Sequence, residues 1–135
     1  TVSFLVHATE DEGRLLQNVV DSFGISKEGT VKEYLEGHYG NSLTHFTVHV
    51  TGERATEISS MILSRLDQSS KKALVAELEK YLDEHDALYL RLDRQELPEK
   101  FLLGDDEPIR TKLKPKSRRG GRQSMIEAYT GMIEA

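Results

Sequence analysis

Three observations predict an α+β fold built on one mostly antiparallel sheet. Apolar residues alternate with a period of two in Leu43–Val50 and Ala87–Asp93, they recur at helical spacing in 15–23, 55–66 and 74–82, and cap or turn residues separate these stretches. The expected order is β-α-β-β-α-α-β-β-β, with about five or six strands and three helices packed on one face.

Val2 to Ala8 is apolar and β-branched, as a strand requires, and Thr9-Glu10-Asp11-Glu12 is a capping box that should start a helix. Leu15, Leu16, Val19, Val20 and Phe23 form its apolar stripe, and Gly24 stands at the C-cap position. Val31–Gly37 and Leu43–Val50 read as strands joined across His38-Tyr39-Gly40-Asn41, whose glycine and asparagine tolerate the positive φ of a tight turn. In the second strand Phe46, Val48 and Val50 share one face; His45, Thr47 and His49 share the other.

Ala55, Ile58, Met61, Ile62 and Leu66 mark the next helix, and Leu74, Val75, Leu78, Tyr81 and Leu82 another, with cap residues in Asp67–Ser70 between them. From Ala87 the period becomes two, directing Leu88, Leu90 and Leu92 inward and Tyr89, Arg91 and Asp93 outward. A short Phe101–Leu103 strand, a turn at Gly104-Asp105-Asp106 and a strand from Ile109 to about Pro115 complete the sheet. This gives one domain over 1–115, a basic linker over 116–123, and a short amphipathic helix over 124–135 opened by the Ser124/Glu127 capping box.

The chain of 135 residues has no cysteine, which excludes disulfides, thiolate metal sites and a cysteine nucleophile. Its longest apolar stretch, Val2–Val6, is too short to span a bilayer, and no signal-peptide pattern is present, so a cytoplasmic protein without membrane contact is expected. Neither a phosphate-binding G-x-x-x-x-G-K-[ST] loop nor a G-x-S-x-G elbow occurs, and no enzyme activity or cofactor is expected.

Charge is the informative feature. The net charge is −5, yet residues 1–109 carry 11 Lys+Arg against 21 Asp+Glu, while residues 110–135 carry 7 against 2. Such asymmetry points to a nucleic-acid or acidic partner. Arg110, Lys112, Lys114 and Lys116 recur at every second position. On a strand they stand on one face about 6.6 Å apart. Arg118, Arg119 and Arg122 follow, and no acid interrupts the run. A cationic row of this kind can line a polyanion backbone and gain affinity by counterion release; a lysine-protected edge strand with a soluble tail is the alternative.

Other constellations have simpler explanations. Gly37-His38-Tyr39-Gly40 matches the GXXG loop of KH domains, but that loop joins helices, and here it sits between strands without Lys or Arg. It reads as a turn whose His38 and Tyr39 rings are candidates for stacking on an unpaired base. His45 and His49 have a helical chelating interval, but on a strand they lie about 13 Å apart and cannot share one metal. Glu10, Asp11 and Glu12 suit a first helical turn, and Asp105-Asp106-Glu107 suits a turn before a strand. No metal site is expected.

Val6-His7-Ala8-Thr9-Glu10-Asp11, Glu36-Gly37-His38-Tyr39-Gly40-Asn41, Leu90-Arg91-Leu92-Asp93-Arg94-Gln95 and Asp106 with Ile109-Arg110-x-Lys112 together resemble an archaeal conserved family described as RNA-binding or as a predicted exosome subunit. The resemblance covers residues 1 to about 114, with Arg94 where lysine is usual in the family. It implies the fold of the ribosomal protein that binds 5S ribosomal RNA, and a role in RNA processing or on the ribosome.

The expected function is therefore non-catalytic binding of single-stranded or structured RNA. The expected phosphate contacts are Arg91, Arg94, Arg110, Lys112, Lys114, Lys116, Arg118, Arg119 and Arg122. The competing expectation is an assembly module, a homodimer or subunit of a larger RNA-processing complex, that buries its sheet and terminal helix against a partner.

Overall fold

A computed structural model describes residues 2–7, 12–26, 30–36, 42–105, 108–115 and 120–134. The chain is α+β. Strands β1 (Val2–His7), β2 (Thr30–Glu36), β3 (Ser42–Val48), β4 (Leu88–Leu92) and β5 (Ile109–Leu113) form an antiparallel sheet in the order β2-β3-β1-β5-β4. Helices α1 (Glu12–Phe23), α2 (Gly52–Arg65), α3 (Gln68–Ala76) and α4 (Gly121–Glu134) complete the described architecture.

Each element follows from its residues. Along α1, Val19 and Phe23 are fully buried and Leu15, Leu16 and Val20 pack beside them, as the stripe requires. Gly24 adopts φ +64° after the last turn, and the Ile25 amide reaches back to the Val20 carbonyl at 3.2 Å, the long bond of a Schellman end. In α2, Ile58, Ile62 and Leu63 are buried. Asp67 caps α3, its carboxylate accepting the Ser70 amide at 2.8 Å. The burial patterns of β4 and β5 alternate strictly: Leu88, Leu90, Leu92, Ile109, Thr111 and Leu113 point inward. One core joins these residues to the helices, with the Phe23 and Phe101 ring centroids 5.7 Å apart.

The expected layout is not matched in three respects. The helical stripe through Leu82 does not stay α-helical: α3 stops at Ala76, and a 3-10 turn, Leu78–Tyr81, takes over. Its tighter bonds, Lys80 to the Glu77 carbonyl at 2.9 Å and Leu82 to that of Glu79 at 3.3 Å, still deliver Leu78 and Leu82 to the core. Phe101–Leu103 is no strand. It makes isolated bridges to Leu66 on one side and Leu92 on the other, because its amide and carbonyl groups are shared between the α2–α3 junction and the end of β4.

The third departure concerns the end of the chain. Helix α4 begins at Gly121, inside the stretch 116–123 expected to be a linker, and it joins the helical layer against α2 and α3. Gly120 and Gly121 enter it with φ of +83° and +75°, and a Cβ at Gly120 would run into the Ser124 side chain. Tyr129 and Ile133 are buried, with Met125, Ile126 and Met132 packed against the core, so the apolar stripe is consumed within its own domain. Residues 9–11 of the expected capping box and the hairpin turn at 38–41 lie outside the described residues.

Candidate nucleic-acid interface

Because Ile109, Thr111 and Leu113 fill the core, Arg110 and Lys112 are directed to the opposite face of β5, and exposed Lys114 follows directly after the strand. The β4–β5 register then sets Arg91 directly across from Arg110 and Tyr89 directly across from Lys112. The Lys112 ammonium lies 5.1 Å from the Tyr89 ring centroid. The Tyr89 side chain, and secondarily the Asp83 carboxylate, hold that ammonium above its ordinary pKa, so it stays cationic at any physiological pH. Arg91 is 60% exposed and pairs with Asp105 at 3.5 Å.

Beside β4 the same face drops into a groove of about 340 Å³ lined by Lys80, Tyr81, Tyr89, Arg91, Leu103, Gly104 and Asp105. Three segments build it. The 3-10 turn supplies Lys80 and Tyr81, β4 supplies Tyr89 and Arg91, and the Leu103–Asp105 segment is fastened alongside by the Gly104 amide donating to the Arg91 carbonyl at 3.0 Å. Tyr89 is oriented from its far end, where its hydroxyl donates to Asp83 at 3.3 Å. Asp83 itself accepts the His85 and Ala87 amides at 2.8 and 2.9 Å, and the Ala87 amide is the main reason its carboxyl lies below the usual range.

The expected site residues thus divide. Arg91, Arg110 and Lys112 come together on one outward surface, and exposed Lys114 follows directly after the strand. Arg94 does not: it is 8% exposed, drawn in where the chain turns after β4, and is not available as a surface phosphate contact. Nor does Arg122, whose guanidinium donates to the Asp83 carbonyl at 2.6 Å and pairs at 3.1 Å with Asp86, a carboxylate only 2% exposed. Arg122 is a structural clamp that fixes α4 to the turn before β4. Lys116, Arg118, Arg119, His38 and Tyr39 lie outside the described residues.

Sequence reasoning missed Tyr81, Lys80 and Asp105 as neighbours of the basic strand, since only the fold unites segments near 80, 90 and 104. For Asp86 a faint signal existed: aspartate tolerates the left-handed backbone, and Asp86 has φ +64°. Among the described residues no group of three His, Asp or Glu could hold a metal ion, and no helix is long and apolar enough to cross a membrane.

A family model described as RNA binding matches residues 1–114. No curated protein matches the chain. Among solved structures it resembles a DUF54 protein of Archaeglobus fulgidus, at 25% identity and a TM-score of 0.79 over 97% of this chain and 95% of that one. A DUF54 protein of Sulfolobus solfataricus shares 19% identity with a TM-score of 0.77, covering 98% and 95%. One from Methanothermobacter thermautotrophicus shares 21% with a TM-score of 0.76, covering 98% and 94%. The last two likenesses concern the fold.

Proposed function

Because the chain belongs to the family described as RNA binding, we propose that it binds RNA without catalysis, holding the phosphate backbone on the outward face of β4 and β5. The contacts are Arg91, Arg110, Lys112 and Lys114, continued by Lys116, Arg118 and Arg119 along the chain. The observation that supports this reading is the alternation of β5. Three inward residues anchor the strand, so the cations between them are held on a firm base at the spacing of strand residues. Arg91 opposite Arg110 is a like-charge pair that costs stability in the absence of a polyanion and becomes favourable beside one. Phosphate contacts position rather than specify, so shape or single-strandedness is selected ahead of sequence.

Action in the cytoplasm, in RNA processing within an exosome-like complex or on the ribosome, with a fold shared with the 5S-RNA-binding ribosomal protein, belongs to this proposal through the family resemblance alone. Fluorescence anisotropy of single-stranded, hairpin and duplex RNA against the intact chain and a Lys112→Ala/Lys114→Ala/Arg118→Ala/Arg119→Ala variant tests it. Binding that the variant loses supports the site; no binding by the intact chain at low salt rejects the reading.

A second reading rests on β2. This outer strand exposes Val31, Tyr34 and Leu35. An apolar edge of that kind suits pairing with a second copy or with a subunit of a complex. Light scattering of the intact chain and of Val31→Lys tests it, a dimer lost in the variant being the supporting result.

A further inference from the structure

The proposed phosphate ladder ends at Arg91, on the wall of a groove whose Tyr81, Tyr89 and Asp105 it does not use. Resting on the RNA-binding reading, we infer that this groove receives one unpaired base of the bound strand, stacked against Tyr89, and prefers a base that presents an amino group.

Among the described residues Tyr89 is one of four large apolar side chains left exposed, at 44%, although it sits on a strand whose alternate residues are fully buried. Its ring is fixed by the hydroxyl contact to Asp83 and flanked by Lys112, so stacking on it requires little further ordering. Arg91 follows two residues later on the same face, a rise of about 6.7 Å along the strand. That backbone rise is close to twice the 3.4 Å spacing of stacked bases, the interval at which two flat side chains on one strand face can hold one base between them. Aromatic and arginine planes are the usual platforms for unpaired bases.

Asp105 decides the orientation. Its carboxylate, 88% exposed at the groove rim, repels phosphate and accepts N–H groups. The base edge therefore enters toward Asp105, while the sugar-phosphate passes over Arg110 and Lys112 on the neighbouring strand. Cytosine offers an N4 amino donor where uracil offers only an O4 acceptor, and the two rings are equal in size. Discrimination between them isolates the hydrogen bond from stacking.

The test uses the full chain and labelled oligonucleotides, oligo(C), oligo(U) and one carrying 2-aminopurine, in anisotropy and fluorescence titrations across a salt series. Tyr89→Ala should weaken binding about tenfold with the salt slope unchanged, and it should abolish 2-aminopurine quenching, whereas Tyr89→Phe retains both. Oligo(C) should bind the intact chain about fivefold tighter than oligo(U), and Asp105→Asn should narrow that gap. If Tyr89→Ala binds and quenches like the intact chain while a salt-dependent affinity persists, the base site is wrong and phosphate binding stands. Absence of binding to every oligonucleotide at low salt overturns both.

Discussion

Arg91 and Arg110 stand directly opposite each other on β4 and β5, two cations in register on the outward face of the sheet, with Asp105 at 3.5 Å from Arg91. Like charges in this relation are destabilising, so the pair is a feature that folding alone does not favour. Arg110→Glu should convert repulsion into a cross-strand ion pair and stabilise the free protein by roughly 0.2–1 kcal/mol, while RNA affinity falls. Thermal unfolding and anisotropy on the same variant check this; a lower Tm would show that the two guanidiniums do not oppose each other.

Arg122 carries a different prediction. Removing it leaves the buried Asp86 carboxylate without its guanidinium partner and releases the first turn of α4. The expected cost of Arg122→Ala is about 2 kcal/mol, less than for a fully buried pair because the guanidinium is partly exposed and screened. Urea unfolding measures it. Arg122→Lys should recover only part of the loss, since an ammonium lacks the fork that spans both the Asp83 carbonyl and Asp86.

Tyr129 couples α4 to the sheet edge through pH. Its hydroxyl donates to the Asp86 carbonyl at 2.9 Å and lies 3.4 Å from that of Leu113. Burial first, then the Asp86 and Asp83 carboxylates, push its pKa up to about 12. A raised value favours the protonated folded state: the contribution is complete below the unfolded pKa of about 10 and is lost as pH rises toward 12. Stability should therefore fall across pH 10–12, and Tyr129→Phe should flatten that limb while costing about 1 kcal/mol at neutral pH. An unchanged alkaline limb in the variant would contradict this.

Asp67 acts at the acid end. The Ser70 hydroxyl and amide hold its carboxyl below the usual range, so its capping contribution is present above about pH 4 and is lost as pH falls through the lowered value. Asp67→Ala should cost about 1 kcal/mol at pH 7 and reduce the acid sensitivity of unfolding. Equal acid limbs in both proteins would count against the cap.

The elements whose signal is local were legible in the sequence. The stripe from Leu15 to Phe23, its glycine end, and the alternation of β4 and β5 all depend on neighbours a few residues away, and the structure has them within a residue or two. What the sequence hid depends on distant partners. Arg94, Arg110 and Arg122 are chemically alike, but one is buried, one is exposed and one clamps Asp86 from 36 residues away. Phe101–Leu103 has strand composition yet spends its hydrogen-bonding groups on two different elements. The groove needs three segments brought together, and only Tyr89 and Arg91 among its lining residues had a readable direction from the period of two.

The salt dependence of RNA affinity tests the central claim most directly. With seven phosphates engaged, the log-log slope on single-stranded RNA should be about −5, and Arg110→Ala/Lys112→Ala/Lys114→Ala should shrink it by about 2. Arg122→Ala, which removes a cation committed to Asp86, should leave the slope unchanged. A slope near zero for the intact chain, or one that falls with Arg122→Ala and not with the β5 variant, would contradict RNA binding through this face.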